Sequence, residues 1–191
     1  SSAWPKWAVS WSPDGQFVLY REQDPKTNFD LWALPIAGDH KAFPVVNTGS
    51  EEREGQFSPD SRWMAFQSKE SGRSEIYVEP FPGPGRRVRV STNGGAQARW
   101  RKDGKELFYI ALDGKLMAAP ITLSSNGQTA DVGESAALFA THLTLGPLPV
   151  IQRHQYVVSP DGQRFLMYVT NQEQTATPIT LILNWNLEQK K

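Results

Sequence analysis

The 191-residue sequence contains no cysteine, which excludes disulfides, a cysteine nucleophile and thiolate metal sites. No apolar run reaches the roughly 18–20 residues of a membrane-spanning helix. Residues 1–6 lack the basic start and apolar middle of a secretory leader. Histidine is scarce: the three, at 40, 142 and 154, fall at no metal-ligand spacing, so neither a metal nor a cofactor is expected. Net charge is also missing. Twenty basic residues cancel twenty acidic ones, so no global field draws the chain to nucleic acid or to an anionic membrane, and neither partner is expected. There is no Gly-x-Ser-x-Gly elbow, no Gly-rich nucleotide loop and no His-Arg-Asp catalytic loop.

One turn is written four times. It reads Ser12-Pro13-Asp14-Gly15, Ser58-Pro59-Asp60-Ser61, Arg101-Lys102-Asp103-Gly104 and Ser159-Pro160-Asp161-Gly162, with Asp-to-Asp spacings of 46, 43 and 58 residues. Pro presets φ for a tight turn, Asp can accept nearby backbone amides, and Gly accepts a positive φ. Short strands rich in β-branched and aromatic residues flank each turn. A period of roughly 40–50 residues in an all-β chain predicts propeller blades of about four strands. One domain of four blades follows, at 7–50, 51–95, 96–149 and 150–191, either closed or forming half of a larger ring. Strands are expected at 7–11, 17–21, 29–35 and 43–47, then 54–57, 62–67, 74–79 and 87–91, then 97–100, 106–110, 115–120 and 137–140, then 155–158, 164–170 and 179–185. The residues ahead of the turns, Trp11, Phe57, Trp100 and Val158, are expected to pack between blades.

Two irregularities stand out. Residues 121–152 form a long connection, rich in Ser, Gly and Pro, that could cap a face. Blade four shows no fourth strand, and residues 1–5 could supply one. Otherwise an edge stays open, and open edges invite another chain. Two four-blade halves pairing as a homodimer would remove both edges.

The phrases Trp11–Tyr20 and Asp30–Pro35 resemble the TolB-type propeller repeat. Arg99–Tyr109, Leu116–Pro120, Ser159–Met167 and Pro178–Trp185 resemble the C-terminal blades attached to some bacterial serine/threonine kinases and winged-helix regulators. The resemblance implies a sensor or interaction module on the outer side of a bacterial membrane, normally within a ring of roughly six to eight blades.

Loops entering the innermost strands place Trp7, Arg53, Glu54, Gln97, Arg153, His154 and Gln155 around the channel mouth, with Lys26, Lys69, Glu70, Arg73, Asp113 and Glu173 farther out. This mixed-charge rim suits a polar small ligand, a peptide or a protein partner. The expected function is therefore non-catalytic binding. The alternatives are a propeller hydrolase or lyase using His154 with Glu54, and a structural self-assembly module. The four turn aspartates are read as structural, because a catalytic pair is needed only once. Arg87 and Arg89, alternating about Val88, are expected on a solvated outer strand.

Overall fold

The computed structural model describes residues 3–83, 85–124, 127–148 and 154–169, and the backbone of 179–182. Every element is a β-strand, and every pairing is antiparallel. The first blade is β1 (Lys6–Trp11), β2 (Phe17–Asp24), β3 (Asn28–Pro35) and β4 (Phe43–Val46), paired in that order. The second is β5 (Glu52–Phe57), β6 (Trp63–Ser68), β7 (Glu75–Pro80) and β8 (Val88–Arg89). The third comprises β9 (Ala96–Trp100), β10 (Glu106–Ile110), β11 (Lys115–Leu123), β12 (Ala130–Val132) and β13 (Ala136–Ala140). The fourth is β14 (Tyr156–Val158), β15 (Phe165–Tyr168) and β16 (Ile179–Ile182).

The repeated turn is built the same way four times. Ser12 Oγ donates to Asp14 at 2.6 Å and accepts the Phe17 amide at 2.9 Å, while Asp14 accepts the Gln16 amide at 3.0 Å. Ser58–Asp60 and Ser159–Asp161 repeat the pattern, and Arg101 reaches Asp103 at 2.8 Å where the serine is missing. Successive turns lie on one face: the Asp14 amide donates to Ser61 Oγ at 3.2 Å, and a Cβ on Gly162 would lie 2.7 Å from the Arg101 side chain. Ser58 is fully buried, so Ser58→Ala leaves the buried Trp63 amide without an acceptor. A loss of about 1–3 kcal/mol is expected, read from a urea midpoint.

Three apolar clusters join the blades in sequence. Leu19, Leu31, Ala33 and Val46 of blade one pack on Phe57, Met64, Phe66 and Tyr77 of blade two. Trp63, Ile76 and Val78 of blade two pack with Ala98, Leu107 and Tyr109 of blade three. Phe108, Ile110 and Leu116 of blade three pack on Tyr156, Phe165 and Met167 of blade four. Gly55 marks how closely the inner strands approach, since a Cβ there would lie 2.5 Å from Leu19 Cδ2. Among the described residues no fourth cluster joins blade four to blade one.

That absence corrects one expectation. Phe57 is buried and Trp100 half-buried, but Trp11 is 61 % exposed. Phe57, Trp100 and Val158 pack on the preceding blade, and among the described residues no blade covers Trp11. Three other readings also change. Residues 121–123 continue β11 and pair with β12, so the long connection begins as a hairpin. Residues 3–5 form no strand, and the chain enters β1 at Lys6. Arg89 is exposed as expected, but Arg87 is only partly so: it pairs with Glu79 at 3.0 Å and with Glu70, and its guanidinium lies 4.9 Å from the Phe66 ring. The expected strand beyond Ile182, like Arg153 and Glu173, lies outside the described residues.

Candidate functional site

The innermost strands carry bulges beside residues of the expected rim. Register breaks between Ala8 and Ser10 in β1 and between Arg53 and Gln56 in β5. Glu54 and Gln97 sit one blade apart at equivalent positions with φ of 54° and 56°, left-handed conformations that non-glycine residues rarely adopt. Such strain costs on the order of 1–3 kcal/mol and tends to gather at functional sites.

Glu54 is the centre of a charged cluster drawn from all four blades. It is 7 % exposed, and His154 Nδ1 lies 2.9 Å from its Oε2. Burial alone would raise its carboxyl, but the His154 contact and the charges of His154, Arg99 and Arg21 outweigh burial and hold it below the ordinary glutamate value. A depressed carboxyl stabilises the fold fully above the unfolded value of about 4.3, and this contribution is lost as pH falls through the lower folded value. Glu54→Gln is therefore expected to weaken the dependence of the urea midpoint on pH below about 4.3. An unchanged acid limb would show that Glu54 carries no such contribution.

Arg21 and Arg99 are each more than nine-tenths buried. Among the described residues, Arg21 Nε and Nη1 and Arg99 Nη2 have no hydrogen-bond partner. Burial pulls both guanidiniums down, with Glu54 opposing the effect on each. The Arg21 guanidinium lies 4.8 Å from the rings of Trp7 and Phe29, which meet edge to face at 5.8 Å. Arg53 stacks on the same Phe29 at 4.5 Å and pairs with Glu51, which Lys69 also holds at 2.7 Å. Trp7 is 41 % exposed and forms the open lip of the cluster.

Gln97 and Gln155 do different work. Both are buried, and their amides pin a loop across the joint of blades three and four. Gln97 Nε2 donates to Pro147 O at 2.9 Å, and Gln155 Nε2 donates to Gly146 O at 2.7 Å. The Gln155 amide donates to Gln97 Oε1, and the Tyr156 hydroxyl donates to Gln97 O at 2.8 Å. The structure thus brings Trp7, Arg53, Glu54 and His154 to one neighbourhood. Of the outer set, Lys69, Glu70, Arg73 and Asp113 lie in local ion pairs. Among the described residues no cluster of three acidic or histidine side chains could hold a metal.

Sequence reading missed Arg21, Phe29 and Arg99. A signal for Arg21 was present: in β2 it alternates with Leu19, a charge on the core-facing side of a strand.

No family model matches the chain. It is 30 % identical over 109 residues to an uncharacterized protein of Agrobacterium fabrum, covering 55 % of this chain and 35 % of that protein. Among solved structures it is similar to a putative TolB from Agrobacterium tumefaciens, with TM-score 0.52 and 18 % identity over 72 % of this chain and 52 % of that one. The fold is that of a β-propeller. A puromycin-hydrolyzing peptidase of Mycobacterium tuberculosis matches with TM-score 0.58 and 17 % identity over 82 % of this chain and 27 % of that one. A putative 6-phosphogluconolactonase of Bacteroides uniformis matches with TM-score 0.51 and 14 % identity over 86 % of this chain and 48 % of that one. The propeller therefore spans about half or less of these relatives, and its neighbours include enzymes and a TolB-like protein alike.

Proposed function

We propose that this propeller is a non-catalytic binding or sensor module that recognises an acidic group, a carboxylate on a small ligand or peptide, at its axial face. The observation that carries this reading is the pair Arg21 and Arg99, whose buried guanidiniums hold donors with no acceptor among the described residues. An unfilled buried donor is costly, and charge-assisted bonds to a carboxylate are among the strongest ways to fill it. Arg21, Arg53, Arg99 and Lys69 outnumber Glu51 and Glu54 in the cluster, which leaves it with surplus positive charge. The TolB-type resemblance supports a sensing role on the outer side of a bacterial membrane.

Trp7, stacked beside Arg21, provides the reporter. Titration with glutarate, and with one tripeptide bearing a free or an amidated C-terminus, should shift the tryptophan emission saturably for the free acids alone. The relative affinities separate a small acid from a peptide terminus. No saturable change with any free acid would sink the reading.

The second reading, a hydrolase or lyase, rests on the 2.9 Å contact between His154 and Glu54, which resembles a base with its orienting carboxylate. Among the described residues no hydroxyl bonds to His154. Turnover abolished by His154→Ala in an esterase and lyase screen would establish this reading instead.

A further inference from the structure

Strand β11 outruns its neighbour β10. Residues 116–120 pair with β10, but 121–123 lie beyond its first residue, Glu106, and pair with β12 on the other side. The ladder shows which way their backbone groups point. Ser124 N donates to Thr129 O at 2.9 Å and Gly133 N to Pro120 O at 2.8 Å, so the even-numbered residues of this stretch bond toward β12. The odd-numbered ones face the opposite side. Ile121 N donates to Lys105 O at 2.9 Å, whereas the Lys105 amide turns to Asp103 Oδ1 at 3.0 Å and leaves the Ile121 carbonyl unanswered. Leu123 is the next odd position, and no strand runs beside it, because the chain at 101–104 is the repeated turn. Among the described residues its N–H and C=O find no backbone partner.

The space beside this edge is a groove of 740 Å³ between blades two and three. Buried Ile121 and partly buried Leu123, both part of the apolar joint between these blades, line it together with Pro59 of the blade-two turn. Its charged residues are Asp60, Lys102, Asp103 and Lys105. Asp103 is held at both oxygens by Arg101, at 2.8 and 3.0 Å. Asp60 turns Oδ1 to the Ser58 hydroxyl at 2.6 Å and the Arg62 amide at 3.1 Å. Lys102 and Lys105 are exposed, and among the described residues neither makes an ion pair. None of these residues belongs to the axial cluster.

We propose that this groove takes an extended acidic segment of a partner protein, added to β11 in the line of β10. An open strand edge captures an extended chain through its main-chain groups, and the side chains around it select the sequence. One residue of the segment exchanges two backbone bonds with Leu123, continuing the alternation that Ile121 begins. Its side chain shares the face of Leu123, and an apolar one packs there against Pro59. Carboxylates along the segment meet the two uncommitted lysines as charge-assisted partners.

The probe is a heptapeptide of alternating glutamate and valine, blocked at both ends and titrated into the chain by calorimetry. It should bind saturably, about tenfold more tightly than its lysine–valine counterpart. N-methylation of its valines removes the donors that the edge needs and should weaken binding about tenfold. The exposed double variant Lys102→Glu/Lys105→Glu should lose binding to a similar extent, about tenfold, with an unchanged far-ultraviolet spectrum. Arg99→Met disables the axial cluster and should bind the peptide as the wild type does. Absence of saturable binding overturns the proposal, as does equal affinity for the lysine or the N-methylated peptide. Binding unchanged in the double lysine variant overturns it too. Binding lost in Arg99→Met would assign the peptide to the axial cluster and overturn the groove as its site.

Discussion

Trp63→Ala is expected to lower the unfolding free energy by about 3–5 kcal/mol, while Trp11→Ala changes it by less than about 0.5 kcal/mol. Both tryptophans flank the repeated turn, and both belong to strands of similar length. Trp63 is fully buried in the cluster that joins blades two and three. Removing its ring takes away transfer free energy and leaves a cavity in a packed joint. Trp11 already stands in solvent. For a chain of this size each kcal/mol moves the melting temperature by about 2–4 °C, so Trp63→Ala should melt on the order of 10 °C lower. Equal losses in the two variants would mean that blade one has a partner within its own chain.

Arg99→Met is expected to keep or raise stability, by up to about 2 kcal/mol, and to weaken acid binding at least tenfold. Arg99 is 7 % exposed, donates to Ala98 O at 2.6 Å through Nη1, and has no partner for Nη2 among the described residues. Its guanidinium lies 5.4 Å from the Tyr156 ring, where a methionine side chain of similar volume packs well. Burying an incompletely bonded charge is costly, and an apolar replacement recovers that cost, which outweighs the loss of the Arg99 charge beside Glu54. A residue that costs stability yet serves binding has the profile of a functional site. Urea midpoints and tryptophan titration with glutarate decide the matter together. A variant that unfolds more easily yet binds as before would make Arg99 a structural strut.

The repeated turn was legible because its chemistry is local. Ser58, Asp60 and the Trp63 amide lie within six residues of one another, so their bonds follow from short-range geometry. Strand positions followed from alternation for the same reason, and β2, β6 and β10 fall where the pattern puts them. The rim was legible in part. Trp7 and Glu54 stand on the innermost strands of their blades and His154 lies two residues ahead of one, and the repeat predicts that such positions converge. Arg21 and Arg99 were not found, because each stands mid-strand and its importance comes from what surrounds it. Burial without a partner is a property of the assembled blades.

The sequence by itself determined the blade, its turn, its alternating faces and their number, since each depends on residues a few positions apart. Whether a given face is covered depends on a neighbouring blade some forty residues away or on another chain. Only the tertiary structure therefore decided that Phe57 is core while Trp11 is surface, although both occupy the same place in the repeat. The same reason holds for the axial cluster. Glu54 and His154 meet because blades one to four stack around a common axis, and a contact across 100 residues is set by that stacking rather than by any local pattern.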